Sequence, residues 1–150
     1  MTSAYYLAQL NIGELRYPRE TSEMAGYREA LGPITSIATT WPGFIWIHDD
    51  SIIGMAEHMF GAGVAANLSI WRDVESLQGF MTCPEHAAVM DRGAEWFTPM
   101  DEVTFVLWWV PISHIPALDE GHERLMLLRR EGPTCHAFDL DHTFWRRNPH

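Results

Sequence analysis

The chemistry this sequence offers lies in its histidines, amides and tryptophans. His86 heads the stretch EHAAVMDRGAEWF, where Met90, Gly93 or Ala94, and Phe97 follow at helical spacing and form an apolar stripe. A neutral imidazole there suits a general base working near pH 7, or a metal or heme ligand through one ring nitrogen. The same placement equally serves a core histidine bonded to a backbone carbonyl. His48 stands directly before Asp49 and Asp50, and a neighbouring carboxylate would raise its pKa and orient its tautomer. His114 is flanked by Pro111 and Pro116, a stiff extended connection that would hold a ligand contact or simply end a strand.

Composition removes other chemistries. All ten basic residues are arginine, so a Schiff-base lysine, a pyridoxal-phosphate anchor and a P-loop lysine are excluded. The formal net charge of -10 argues against nucleic acid or an anionic membrane surface as partner. Cys83 and Cys135 stand apart, with no CxxC, which suggests neither a zinc site nor a disulfide framework. His136, Asp139, Asp141 and His142 superficially resemble a metal cluster, but their spacing fits no metal template, and no metal site is expected. No G-x-S-x-G, H-E-x-x-H, G-x-G-x-x-G or Walker motif occurs. No basic leader is visible and no stretch reaches the roughly 18 apolar residues of a membrane span, so a cytoplasmic protein is expected.

The elements that must position these groups read as follows. Residues 5–12 alternate as a strand, and residues 21–41 form a helix that Pro33 ends or bends. Residues 43–48 and 64–71 make a second and a third strand, joined by a glycine-containing stretch in which His58 lies in a lid or short helix. Asp73 caps a helix, Thr82 to Glu85 restart it as a capping box, and that second segment runs to about Phe97. Residues 102–110 are a fourth strand and residues 118–131 a late helix, with 136–145 a possible short edge strand. At 150 residues the chain suits one domain, and the core order β-α-β-β-α-β is α+β and ferredoxin-like: a four-stranded antiparallel sheet with both helices on one face.

Alternation then divides the sheet. Leu10, Ile12, Ile45, Ile47, Leu68 and Ile70, with Leu107 and Trp109, are expected to face the helices. Gln9, Asn11, Phe44, Trp46, His48, Asn67, Ser69, Trp71 and Trp108 are expected on the other face. That face mixes indoles with amides, which suits a lined pocket better than either a dry core or a solvated surface. Dense packing of both faces is the competing reading. With the helices used up, a copy of the same sheet is the simplest cover, which makes the chain a homodimer.

The strings LAQLNI, PGFIW, NLSIW, EHAAVMDRGAEWF, LWWVPISHIP and RLMLLRREGPT, the last followed by AF, run from Leu7 to Phe138 and resemble domain of unknown function 3291. That family falls within the dimeric α+β-barrel superfamily, whose antibiotic-biosynthesis monooxygenases, heme-degrading enzymes and chlorite-dismutase relatives share architecture and differ in chemistry. The resemblance implies a ferredoxin-like fold dimerised through its sheets, and fold alone assigns no reaction. The expected function is a small-molecule enzyme without metal or nucleotide cofactor, acting in isomerisation, cyclisation or cofactor-free oxygenation of a hydrophobic aromatic compound, such as a natural-product intermediate. His86 or His48 would move the proton, and Gln9, Asn11, Trp46, Asn67, Ser69, Trp71, Trp96, Trp108 and His114 would hold the substrate. A heme protein of the same fold is one alternative, and a non-catalytic binding or dimerisation module another.

Overall fold

The computed structural model describes residues 4–48 and 52–144. Its central strand, β1 (Tyr5–Leu15), pairs antiparallel with β3 (Val64–Trp71) on one side and with β5 (Phe105–Pro111) on the other. β2 (Phe44–Ile47) pairs outside β3, and the two-residue β4 (Phe97–Thr98) pairs the far end of β1 beyond β5. Helix α1 (Ala25–Thr40) connects β1 to β2, and α3 (Val74–Met81), α4 (Pro84–Asp91) and α5 (Gly93–Trp96) lead from β3 to β4. The architecture is α+β with an antiparallel, ferredoxin-like sheet, as the order of elements predicts. Two helices are added to that frame: α2 (Ile52–Phe60) in the β2–β3 connection and α6 (Leu118–Glu131) after β5.

Local chemistry accounts for most boundaries. Asp73 caps α3, its Oδ1 accepting from the Ser76 amide at 2.8 Å and the Ser76 hydroxyl at 2.6 Å. Burial pushes this carboxyl up, but the Ser76 hydrogen bonds and Arg72 outweigh burial and hold it below its usual value. The expected capping box at Thr82 does not form, because the Thr82 hydroxyl donates back to Gln78 O at 2.8 Å, and Cys83 becomes the cap with Pro84 in the first turn. Pro33 lies inside α1 on its exposed side, and Ile34, Ile37 and Ala38 pack the buried side, so the helix continues through it. The expected edge strand over 136–145 is reduced to two isolated bridges, Phe138 with Leu107 and Ala137 with Thr134; Trp145 lies outside the described residues.

The register corrects the division of faces. Leu7, Gln9 and Asn11 oppose Trp71, Ser69 and Asn67 on β3, and Trp109, Leu107 and Phe105 on β5. This amide-bearing face is the one covered by α1 and α3, through Ala38, Leu77 and Phe80, with Phe138 and Phe144 closing the β5 side. Ala8, Leu10, Ile12, Leu68, Val106 and Trp108 form the opposite face, which α2 and α6 cover with Ala56, Leu118, Leu125 and Leu128. Trp108 is therefore fully buried in the aliphatic core and Trp109 half-buried on the amide face, the reverse of the expectation. A copy of the sheet is not needed as cover, because the apolar stripe of α6 already provides it within the chain.

A break in register between Phe44 and Trp46 supplies the second correction. Phe44 opposes Trp71, whereas Trp46 opposes Ile70 and Ile47 opposes Ser69. The irregularity turns residues 46 and 47 over, so Trp46 joins the aliphatic face and Ile47 the amide face.

Candidate functional site

On the amide face a hydrogen-bonded ladder crosses the sheet. Gln9, 3 % exposed, extends its Nε2 across to β3, donating to Asn67 Oδ1 at 2.6 Å and Ser69 Oγ at 2.9 Å, with the Asn67 carbonyl at 3.3 Å. Asn11 Nδ2 donates back to Gln9 Oε1 at 3.1 Å. Ser69, also buried, accepts a second hydrogen bond from Trp71 Nε1 at 2.9 Å. The strand pairing causes this: Gln9 faces Ser69 directly, and Asn11 faces Asn67. Burying an amide in a central strand is costly unless it is bonded, and here each buried atom has a partner. The ladder opens outward, since Asn11 is half-buried and Asn67 exposed.

Aromatic contacts carry the site from the ladder to His86. Trp71 stacks on Phe80 with centroids 5.2 Å apart, and Phe80 meets the His86 ring edge-on at 4.8 Å. His86 Nδ1 lies 3.0 Å from Met81 O, so the nitrogen carrying the hydrogen is Nδ1, and Nε2 is left with its lone pair. Burial lowers the His86 pKa, partly opposed by the Met81 hydrogen bond, and so keeps the ring neutral near pH 7.

One turn further along α4 an apolar cavity of about 90 Å³ lies between α1 and α4–α5, walled by Tyr27, Ala30, Leu31, Ile34, Val89, Met90, Gly93, Trp96 and Phe97. Trp96 is buried and carries the Arg92 guanidinium 4.7 Å from its ring centroid, while Tyr27 meets both Trp96 and Phe97 edge-on. Phe97 lies over Gly13, where a Cβ would come within 2.6 Å of its ring. Gly13 is two residues beyond Asn11 on the same strand face, a separation of about 7 Å. The cavity floor and the polar ladder are thus neighbours.

The structure brings together Gln9, Asn11, Asn67, Ser69 and Trp71, with His86 and Trp96 on the helices above them. It places Trp46, His48, Trp108 and His114 on or beyond the opposite face. The His48 ring lies 5.5 Å from that of Trp46, and its expected carboxylate neighbours, Asp49 and Asp50, lie outside the described residues. Trp108 Nε1 donates to Glu120 Oε2 at 2.8 Å, and His114 Nε2 lies 2.6 Å from Glu120 Oε1, so this pair pins the proline-bounded loop to α6. Sequence reasoning missed Glu120 and Tyr27. Glu120 had one signal, a carboxylate in the first turn of an evident helix; Tyr27, on a helix read only by its period, had none.

Among the described residues no three histidine, cysteine, aspartate or glutamate side chains stand close enough to hold a metal ion. The cavity walls hold no histidine or cysteine that could serve a heme as axial ligand. No helix of the described residues is long and apolar enough to cross a membrane.

Residues 6–149 match the family model "Domain of unknown function (DUF3291)". No curated protein is significantly similar in sequence. Among solved structures, a Pseudomonas aeruginosa protein is 9% identical over 77% of this chain and 99% of its own, with a TM-score of 0.50. A protein of unknown function from Nitrosomonas europaea is 15% identical over 76% and 97%, with a TM-score of 0.47. SnoaB, a cofactor-independent oxygenase from Streptomyces nogalater, is 9% identical over 77% and 98%, with a TM-score of 0.45. At these identities the likeness is one of fold.

Proposed function

The chain belongs to the DUF3291 family, and from that premise and the geometry above we propose that it is a small-molecule enzyme working without metal or nucleotide cofactor on a flat, hydrophobic aromatic substrate. The carrying observation is the juxtaposition of an amide ladder, bonded at its buried end and open at Asn11 and Asn67, with an aromatic-walled cavity on the same sheet face. The substrate ring enters between α1 and α4, its polar edge toward Asn11 and Asn67. About 90 Å³ is less than the roughly 300–1,000 Å³ of a drug-sized site, so admission requires α4 to move. That movement costs little core, because α4 buries none of its own residues fully.

His86 Nε2 is the proposed base. It removes a proton from an acidic C–H or O–H and returns it at another atom in an isomerisation or cyclisation. The same deprotonated substrate, reacting directly with dioxygen, accounts for a cofactor-free oxygenation. A homodimer of this chain is proposed as the working assembly. The test is quenching of tryptophan fluorescence by naphthalene and anthraquinone. Saturable quenching is expected in the wild type and its loss in Leu31→Trp, which fills the cavity; quenching unchanged by that substitution rejects the site.

A second reading, a non-catalytic binding module, is favoured by one observation: Tyr27 is the only cavity wall residue able to transfer a proton. Turnover of a bound compound that disappears in a folded His86→Gln variant decides for the enzyme.

A further inference from the structure

The ladder does more than bury polar atoms: it fixes the polarity of its two outward-facing amides. One group beside Gln9 cannot change role. The Asn67 backbone carbonyl only accepts, so the end of Gln9 directed at β3 is the Nε2 amine. The Asn67 side-chain atom 2.6 Å from that amine is then Oδ1, which turns the Asn67 amine outward. Gln9 Oε1, left at the other end, accepts from Asn11 Nδ2, which turns the Asn11 carbonyl oxygen outward. No described residue bonds Asn67 Nδ2 or Asn11 Oδ1. The two residues are directly opposite each other in the β1–β3 register, so a donor and an acceptor are presented side by side.

We infer that Asn11 and Asn67 form a polarity-fixed reader for a ligand edge carrying an acceptor and a donor on adjoining atoms, as in the cis-amide of an aromatic lactam. The lactam carbonyl accepts from Asn67 Nδ2, and its N–H donates to Asn11 Oδ1. The apolar ring system extends from there past Gly13 and Phe97 into the cavity. Gln9 and Ser69 are positioning residues: they touch no ligand, and they prevent either asparagine from flipping. This deepens the proposed site and rests on that reading.

The test uses the wild-type chain and three probes: 2-quinolone, which has both groups; N-methyl-2-quinolone, which lacks the donor; and naphthalene, which lacks both. Affinity is read from tryptophan quenching. The expected order is 2-quinolone tighter than its N-methyl derivative by about tenfold or more, the scale of one unmet hydrogen bond. Asn67→Asp, which sets a carboxylate oxygen against the lactam carbonyl, is expected to weaken both quinolones about tenfold or more relative to naphthalene, while the preference for the free N–H, which Asn11 reads, persists. Naphthalene bound but the two quinolones equal within twofold overturns the reader and leaves the cavity reading standing. No probe bound overturns both. If Asn67→Asp does not fold, the wild-type probe series decides alone.

Discussion

The two faces of the sheet solve the same burial problem with different chemistry. The face under α2 and α6 is aliphatic, filled by Leu10, Ile12, Leu68, Val106 and Trp108, with the Trp108 N–H satisfied by Glu120. The face under α1 and α3 buries Gln9 and Ser69 between Leu7, Trp71 and Leu107, and satisfies them through one another. An aliphatic core is held by packing and the exclusion of water, whereas a polar ladder is stable only where each buried polar atom also meets a partner. The difference separates stability from specificity: the first face holds the sheet together, and the second orients groups toward a ligand.

Trp108 separates the two faces most visibly. Trp108→Ala opens a cavity beneath α6 and strands Glu120, and is expected to cost about 3–5 kcal/mol, read as a lowered urea midpoint. The matching change on the other face, Gln9→Leu, is expected to cost only about 1–2 kcal/mol, because Asn11 and Asn67 reach water and recover their hydrogen bonds there. Its larger consequence is loss of discrimination between 2-quinolone and N-methyl-2-quinolone. An equal loss of stability in both variants would dissolve the distinction between the faces.

Acid sharpens it further. His86 has a folded pKa below its unfolded value of about 6.5. As pH falls below that value the unfolded chain binds a proton that the folded chain resists, so stability is full above it and declines through the window beneath. Thermal melts between pH 8 and 5 are expected to show this decline, and His86→Gln to flatten it; an unchanged slope in the variant removes His86 from the account. The smallest effect is expected at His114→Ala. The His114–Glu120 contact is solvent-exposed on the histidine side and is worth about 0–1 kcal/mol. A loss near that of Trp108→Ala would mean that the loop, rather than the indole, anchors α6.

How much of this could be read in advance follows from which signals are local. The strand 64–71, the helix 118–131 and the Asp73 cap are legible because period and capping act over a few neighbouring residues. Gln9, Asn11, Asn67, Ser69 and Trp71 could be grouped because alternation puts each on one face of its own strand. Trp46 and His48 were wrongly joined to them because the break after Phe44 leaves no mark in FIWI: each residue there suits a strand in either orientation. Trp108 and Trp109 exchange faces for a related reason, since both are large and apolar and only pairing with β1 decides which one shares the face of Gln9.

The element order, the antiparallel ferredoxin-like plan and the amides on one side of β1 are written in local residue patterns. The tertiary structure decided which helices lie over those amides, that α2 and α6 close the opposite side, and which way Asn11 and Asn67 point. The physical reason is range. Backbone preference and side-chain period are fixed by neighbours along the chain, whereas register and amide orientation are fixed by hydrogen bonds between residues such as Gln9 and Asn67, far apart in sequence and adjacent only once the sheet has formed.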